Sequence, residues 1–436
     1  MDRFVVVKLL IFIVFQQSVL IEATSSQYNV AYVFGGDGIY VIEPETKSLV
    51  TKITNLTSPG LCTRGNNRRS RSECSFSGGQ VVDGSVYVLD ASGNAVHVIN
   101  VTTRQVIESI KTDPQPYGLY YLPWRKEIWV HSWNLSTFDV IKTNTRNRSH
   151  RAIRAHISPG WTHGRMIADK ALLEGQRGYV THFSNPGIHK LNLEGKSYAG
   201  FVNLTTHGCT GTYSIAYNFY NERVYVDCRS RYRSVSTLEI NPSNDTVTRT
   251  FRFPGYSYVS PNGRFLVTTY RSGNISRMNI LSFSGSDFQH HPQLLIPGGV
   301  SRAVFYPKKT NPDTYYVFVT LDYINKMAVV DLELAGRNDS SRWKYIDDVD
   351  RLETRRHGAS RKLFINGKWI ISPASKSKTV VIIDAETQKV HGKIANVNEG
   401  DLAVWVDDPN QRVSGSGSPK SFVAMIWFCI LYRFLF

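Results

Sequence analysis

A paired-strand pattern recurs eight times along the chain, and no other feature limits the possible folds as strongly. Each copy has a short run rich in Val, Ile, Tyr and Phe, then a polar turn and a second such run. Two apolar runs around Gly, Asn or Ser are typical of a β-hairpin. The eight predicted hairpins cover residues 32–42, 86–100, 128–141, 178–193, 224–240, 265–281, 316–332 and 369–385.

The spacing of these hairpins predicts the fold. Successive hairpins are 41 to 55 residues apart, which is the period of a four-stranded propeller blade. A ring of blades buries both faces of each sheet and protects most strand edges. We therefore expect an all-β fold, a β-propeller of seven or eight four-stranded blades, with eight favoured. A β-sandwich pair, the alternative, predicts shorter and less uniform spacing. Only residues 166–173 have a helical period, which predicts one short helix.

The N-terminal stretch predicts export. Residues 4–15 are apolar except for Lys8, and small residues follow at 23–26. These 12 residues are too few for a helix that spans a bilayer, which needs about 20. The pattern indicates a signal peptide over residues 1–23. A buried strand or an anchor helix is the alternative.

The C-terminal stretch predicts a membrane tether. Residues 422–436 are apolar apart from Arg433, and a polar linker at 409–421 precedes them. Small residues, a polar spacer and an apolar tail that is removed form the signal for a glycosylphosphatidylinositol anchor. Attachment is expected at Ser414, Gly415 or Ser416. The charge at Arg433 and the short spacer leave a short transmembrane helix or an uncleaved tail as alternatives. Residues 28–408 between the two ends form the predicted propeller.

Sites of N-glycosylation support passage through the secretory pathway. A single Asn-x-Ser/Thr sequence occurs easily by chance, whereas copies spread over the whole body indicate exposed positions in an exported chain. The eight predicted sites are Asn55, Asn100, Asn134, Asn147, Asn203, Asn244, Asn274 and Asn338.

Four cysteines remain once Cys429 in the apolar tail is set aside. Four cysteines allow three pairings. We favour Cys62 with Cys74 and Cys209 with Cys228, because each pair then lies within one repeat. Each bond closes a short loop and is worth about 3 kcal/mol in the loop-entropy model. Four buried free thiols, the alternative, do not fit an oxidising compartment.

The formal net charge is +16, from 51 basic and 35 acidic residues. A basic surface attracts polyanions. Export excludes nucleic acid in practice, so the expected partners are sulfated glycans, other extracellular polyanions, or proteins of the matrix and the cell surface. Solvated loop charges that keep the protein soluble are the alternative. The predicted binding residues are Arg64, Arg68, Arg69, Arg71, Arg355, Arg356 and the loop residue Trp161.

Several phrases resemble the C-terminal, YVTN-like β-propeller of the multidomain follistatin-related proteins. They are GIYVIEP (38–44), PYGLYYLPWRKEIWVHSW (116–133), GYVTHFSNPGIHKLNL (178–193) and SIAYNFYNERVYVDC (214–228). The resemblance implies an extracellular, non-enzymatic propeller. The relatives carry a follistatin module, calcium-binding helix–loop–helix pairs and immunoglobulin domains before the propeller. This chain has no room for those modules and no calcium-loop motif, so their activities do not transfer.

No nucleophile elbow, zinc-binding helix motif or phosphate loop occurs in the chain. His131 and His182 end comparable strands and could converge at one mouth of a propeller, as could His163, His189 and His207. Histidines beside aromatic residues are more often structural than metal ligands, so we predict no metal and no cofactor. The adjacent pairs 347–348 and 407–408 are poor acid–base pairs, because neighbouring carboxylates on a strand point to opposite faces.

We therefore expect a secreted, surface-tethered protein that acts in binding or adhesion, or as a component of the extracellular matrix, and not an enzyme. A lactonase-like or quinone-dependent propeller enzyme at the cell surface is the alternative.

Overall fold

The chain folds into a ring of eight antiparallel sheets, each with four strands or, in one case, five. The computed structural model describes residues 29–54, 74–132, 137–144, 164–230, 233–272, 275–321, 324–350, 363–375, 377–400 and 402–408, and the backbone of residues 153–154. The predicted all-β propeller is confirmed, with eight blades and not seven. The signal peptide, the linker and the apolar tail lie outside the described residues.

Among the first four blades, blade 1 combines the first three strands with the last one, and blades 2 to 4 are each built from four consecutive strands. Blade 1 is formed by β1 (Val30–Gly35), β2 (Gly38–Glu43), β3 (Ser48–Ile53) and the last strand, β33 (Leu402–Val406). Blade 2 is formed by β4 (Phe76–Val82), β5 (Ser85–Asp90), β6 (Ala95–Asn100) and β7 (Val106–Lys111), and blade 3 by β8 (Pro116–Leu122), β9 (Glu127–Ser132), β10 (Thr137–Lys142) and β11 (Ile153–Arg154). Blade 4 is formed by β12 (Met166–Ala168), β13 (Arg177–Thr181), β14 (Gly187–Asn192) and β15 (Ser197–Asn203).

The other four blades follow in chain order. Blade 5 is formed by β16 (Gly211–Asn218), β17 (Arg223–Ser230), β18 (Arg233–Asn241) and β19 (Thr246–Phe251). Blade 6 has five strands, β20 (Tyr256–Val259), β21 (Phe265–Ser272), β22 (Ile275–Ser284), β23 (Asp287–His290) and β24 (Leu294–Pro297). Blade 7 is formed by β25 (Val300–Pro307), β26 (Tyr315–Leu321), β27 (Met327–Asp331) and β28 (Trp343–Ile346), and blade 8 by β29 (Phe364–Asn366), β30 (Trp369–Ala374), β31 (Thr379–Asp384) and β32 (Lys389–Ala395).

Each predicted hairpin is the central strand pair of one blade. The pairs are β1–β2, β5–β6, β9–β10, β13–β14, β17–β18, β21–β22, β26–β27 and β30–β31. These strands are buried on both faces, as in YVFG within the all-buried β1. The predicted helix at 166–173 is wrong. That segment forms β12 and then a 3-10 turn, Leu172–Gly175, in which Leu173 and Glu174 have left-handed backbone angles.

The hydrophobic core is divided among the interfaces between blades. Eight clusters of buried apolar residues occur in the described chain, and each joins two adjacent blades. In β1, Tyr32 packs toward blade 2, whereas Ala31 and Val33 pack toward blade 8. Alternate side chains of one strand therefore bury themselves in two different interfaces, which holds the ring together without a single central core.

The inner strand of every blade runs in the same direction along the central channel. With four antiparallel strands, the outer strand ends where the inner strand began, and the next inner strand starts from that end. We call the end where the inner strands begin the upper end, and the opposite end the lower end. β33 supplies the inner strand of blade 1 by pairing with β1, so the first and last strands of the propeller close the ring.

Candidate functional site

The inner strands of five successive blades bring polar and aromatic side chains together at the upper end. Tyr117, Tyr213, Tyr256 and Arg302 lie within the first three residues of their inner strands, and Arg165 directly precedes β12. Together with nearby side chains they form what we call the upper-end cluster, which consists of Tyr117, Arg165, Phe183, Tyr213, Arg229, Tyr256, Tyr258 and Arg302.

β-Bulges explain how several of these side chains reach one another. The pairing register shifts between Pro116 and Gly118 in β8, between Thr212 and Ile215 in β16, and between Val300 and Ala303 in β25. Tyr117, Tyr213 and Arg302 lie inside these bulges. A bulge breaks the regular alternation of a strand and redirects a side chain, so the backbone itself directs these residues to the site.

The ring of Tyr256 contacts three other side chains of the cluster. The guanidinium groups of Arg165 and Arg302 each lie 5.2 Å from the centre of its ring. The ring of Tyr213 meets it edge-on at 5.1 Å. Cation–π contacts of this length are favourable. Residues of blades 4, 5, 6 and 7 therefore meet at one aromatic ring.

A second contact extends the cluster away from Tyr256. The Arg229 guanidinium stacks 4.2 Å from the ring of Phe183 and 5.4 Å from that of Tyr213. Phe183 and Tyr213 also meet edge-on at 6.3 Å. Aromatic faces and guanidinium groups thus alternate from Arg229 to Arg302.

Burial keeps the hydroxyls of Tyr117, Tyr256 and Tyr258 neutral, because it raises the pKa of each. Burial raises the pKa of both Tyr117 and Tyr258 to about 12, and burial raises the pKa of Tyr256 well above its usual range. The charge of Arg165 acts on all three of these hydroxyls and on that of Tyr120, whose pKa is also raised by burial. A guanidinium among neutral hydroxyls makes the site a set of hydrogen-bond donors.

Arg165 is a half-buried cation that stacks on the ring of Tyr256. No ion pair joins its guanidinium to a carboxylate of the described residues, whereas Arg104, Arg125 and Arg177 each pair with one. Its backbone N–H donates to Thr181 Oγ1 at 2.8 Å. This bond fixes the backbone at the half-buried Arg165, whose guanidinium is a group of the kind that pairs with anions in proteins.

The binding residues predicted from the sequence lie outside the described residues. They are Arg64, Arg68, Arg69, Arg71, Arg355, Arg356 and Trp161, together with the predicted anchor residues Ser414, Gly415 and Ser416. These assignments stay predictions. The cluster residues escaped the sequence analysis, although a signal exists. Tyr117, Arg165, Tyr213, Tyr256 and Arg302 follow one another at intervals of 48, 48, 43 and 46 residues, close to the blade period.

Some of the predicted disulfide and glycosylation sites lie within the described residues, and the others do not. The bond between Cys209 and Cys228 is confirmed. Cys74 is also disulfide-bonded, and its predicted partner Cys62 lies outside the described residues. The predicted glycosylation sites Asn203, Asn244 and Asn338 are exposed and Asn100 is half-buried. The other four, Asn55, Asn134, Asn147 and Asn274, lie outside the described residues.

Three of the histidines considered as ligands do meet, but inside the protein. His131, His182 and His189 are 1 %, 1 % and 3 % exposed and lie between blades 3 and 4. No group of three or more His, Cys, Asp or Glu side chains in the described residues could hold a metal ion. His207 is exposed and His163 lies outside the described residues.

The acidic pairs 347–348 and 407–408 directly follow β28 and β33 and are not part of a strand, so the strand geometry expected for them is wrong. Asp347 pairs with Lys326 and Asp348 with Lys393, both at 2.7 Å. Asp408 pairs with Arg104 at 2.8 Å. Among the described residues, no helix has the length and apolar character needed to span a bilayer.

No known protein-family model matches the chain. Solved structures with the same fold include the dihydro-heme d1 dehydrogenase NirN, with a TM-score of 0.62 and 10% identity over 87% of this chain and 75% of that chain. AztD from Citrobacter koseri has a TM-score of 0.56 and 11% identity over 86% and 96% of the two chains. Hydrazine synthase from Kuenenia stuttgartiensis has a TM-score of 0.51 and 11% identity over 69% and 92%.

These similarities show the propeller fold alone, since the identities are too low to carry a function. The predicted relationship to the follistatin-related proteins stays a prediction.

Proposed function

We propose that this protein is an extracellular, non-enzymatic binding propeller whose upper-end cluster binds an acidic glycan. In this proposal the chain is secreted, glycosylated and held at the membrane surface by a lipid anchor at its C-terminus. The observation that carries the proposal is Arg165, a half-buried cation among four tyrosine hydroxyls with no carboxylate partner in the described residues.

The chemistry of the cluster favours a sulfated or carboxylated sugar. Guanidinium groups bind sulfate and carboxylate oxygens through paired N–H donors. Aromatic rings such as Tyr256 and Phe183 offer apolar faces for a sugar ring, and the neutral hydroxyls donate hydrogen bonds. The net charge of +16 adds long-range attraction for a polyanion and makes binding dependent on salt.

A binding measurement with one variant and one matched control tests this proposal. Surface plasmon resonance would compare a sulfated decasaccharide with poly-glutamate of the same number of charges. Arg165→Gln removes the cation and should weaken decasaccharide binding by about 10- to 100-fold, as expected for one charged hydrogen-bond donor. Arg264, 47 % exposed at the lower end, supplies the control Arg264→Gln, which should bind normally.

The result has clear alternatives. Equal affinity of Arg165→Gln and the wild type would rule out the upper-end cluster as the site. Tighter binding of poly-glutamate than of the decasaccharide would replace the glycan with an acidic protein partner. Tyr256→Phe keeps the ring and removes the hydroxyl, so a loss of affinity there would separate hydrogen bonding from stacking.

A further inference from the structure

Three buried histidines lie directly behind one wall of the upper-end cluster. His182 and His189 are 5.9 Å apart, ring centre to ring centre. His131 stacks on Phe138 at 4.5 Å, and neither of its ring nitrogens has a hydrogen-bond partner in the described residues. Imidazoles buried without partners are costly to charge.

No acidic group among the described residues is paired with His131 or His189. The residues paired with His131 from β8 and β10 are Gly118 and Phe138, which carry no charge. From β14 and β15 come His189 and Tyr198, whose hydroxyl lies 3.1 Å from His189 Nδ1. The amide nitrogen of Asn185 lies 3.0 Å from His189 Nε2. Burial disfavours a proton on His131, and among the described residues the charges of His182 and His189 also oppose its protonation.

His182 connects the histidine cluster to the binding site. Its Nδ1 accepts a hydrogen bond from the Ser184 N–H at 3.1 Å, and Phe183 lies between these two residues. Its backbone N–H donates to Thr212 Oγ1 at 3.0 Å, and its carbonyl accepts from the Thr212 N–H at 2.8 Å. Thr212 precedes Tyr213. A proton on His182 Nδ1 turns this acceptor into a donor and breaks the bond to Ser184.

We propose that the cluster of His131, His182 and His189 is an acid-sensitive switch that opens the segment 182–187 and releases the ligand from the upper-end cluster. Protonation breaks the turn that holds Phe183, and like charges then separate blade 4 from blade 3 at this point. Phe183 leaves Arg229 and Tyr213, and the aromatic wall of the site is lost. This inference rests on the proposed function for the ligand, though not for the switch itself.

The pH range follows from the direction of the shifts. Burial, followed by the neighbouring histidine charges, lowers the pKa of His131 and His189 to about 4. In an opened or unfolded segment the same imidazoles take up protons near pH 6.5. The closed state therefore binds fewer protons than the open state between these values, and acidification from pH 6.5 toward pH 4 favours opening. Above pH 6.5 the switch stays closed.

Two conservative variants test the switch. His182→Asn keeps an acceptor for Ser184 but cannot be protonated, and His131→Phe replaces an imidazole that has no partner with a ring that stacks on Phe138. Affinity for the sulfated decasaccharide would be measured at pH 7.4 and pH 5.0. We expect at least a 10-fold loss in the wild type and less than a 3-fold loss in each variant. His391→Asn, on blade 8, should behave like the wild type.

Hydrogen exchange tests the same switch without a ligand. Amides 183–187 and 211–213 should open more at pH 5.0 than at pH 7.4 in the wild type, after correction for intrinsic exchange, and His182→Asn should abolish the difference. Equal opening in the wild type and both variants would overturn the switch. Failure of the decasaccharide to bind at pH 7.4 would instead reject the proposed function. The switch would still be testable in that case, because hydrogen exchange is measured without a ligand. Melting curves at pH 7.4 would select the variants that fold.

Discussion

Asp408 closes the ring through both its side chain and its backbone. Its carboxylate is fully buried and accepts hydrogen bonds from Arg104 Nε at 3.1 Å and Nη2 at 2.8 Å. Its N–H donates to Asn29 Oδ1 at 2.8 Å, and its carbonyl accepts from Asn29 Nδ2 at 2.9 Å. Burial, and next the charge of Asp408, raises the pKa of Tyr32. Asp408 thus joins blade 2 to the first and last described residues of the propeller.

Removing the charge of Asp408 should destabilise the propeller. Asp408→Asn leaves Arg104 without its partner, and breaking a buried ion pair on one side costs about 3 kcal/mol or more. The control is Asp347→Asn, since Asp347 and Lys326 are 72 % and 44 % exposed and such pairs are worth less than about 1 kcal/mol. Urea unfolding followed by circular dichroism measures both. Equal stability of the two variants would contradict the role of Asp408 in closure.

At the scale of strands and turns, one turn type recurs between the third and fourth strands of five blades. Lys47, Arg104, Lys196, Asp245 and Gln388 all have φ between 50° and 58° and precede the outer strand. A register shift follows in each of these strand pairs. This left-handed residue followed by a bulge is a common way to close a short hairpin loop.

Gln388 offers a test of this turn. Gln388→Val should lower the free energy of unfolding by about 1–2 kcal/mol, because a β-branched residue fits the left-handed region poorly. Gln388→Gly should stay within about 0.5 kcal/mol of the wild type, since glycine adopts this conformation freely but has more freedom when unfolded. Thermal melts of both variants decide the point. A stable Val variant would show that the turn adopts another conformation.

The start of β16 is a second test at this scale, because it approaches the loop that carries Phe183. A Cβ atom at Gly211 would lie 1.9 Å from the Phe183 carbonyl oxygen. Gly211→Ala should therefore displace Phe183, weaken decasaccharide binding several-fold and cost about 1–3 kcal/mol of stability. Gly336→Ala is the control, since its Cβ would meet only His291 Nδ1 at 3.8 Å. Normal binding by Gly211→Ala would show that the position of Phe183 does not matter.

The sequence predicts the central strands of each blade well and the inner strands poorly, for a physical reason. Strands such as β1 and β5 are buried on both faces, so they form apolar runs that stand out. Inner strands face the channel on one side, and some of them are very short, such as β12 and β29 with three residues each. That is why residues 166–173 resembled a helix. Bulges at Tyr117, Tyr213 and Arg302 also break the alternation that would assign a face.

At the scale of the whole molecule, the cluster could not be predicted because it requires the ring. Its residues are far apart in sequence and meet only when five blades are placed around one channel. Both ends of the propeller, at Asn29 and Asp408, lie together at the lower end. A tether that follows Asp408 would therefore hold the lower end toward the membrane and leave the upper-end cluster facing outward, where a ligand on the matrix or another cell can reach it.

Closure by β33 makes the ring depend on the last strand of the propeller. β33 is the inner strand of blade 1 and pairs with β1 from Val30 to Phe34, and Leu402, Ala403 and Val406 are buried in the two interfaces of that blade. A chain that ends at residue 400 should expose the edge of β1 and these interfaces, and exposed edges pair with other chains. We expect it to aggregate, whereas a chain that ends at residue 408 should remain monomeric and melt like the full-length protein. Size-exclusion chromatography with light scattering separates these outcomes. Two monomeric truncations with equal melting temperatures would mean that the ring closes without the inner strand of blade 1.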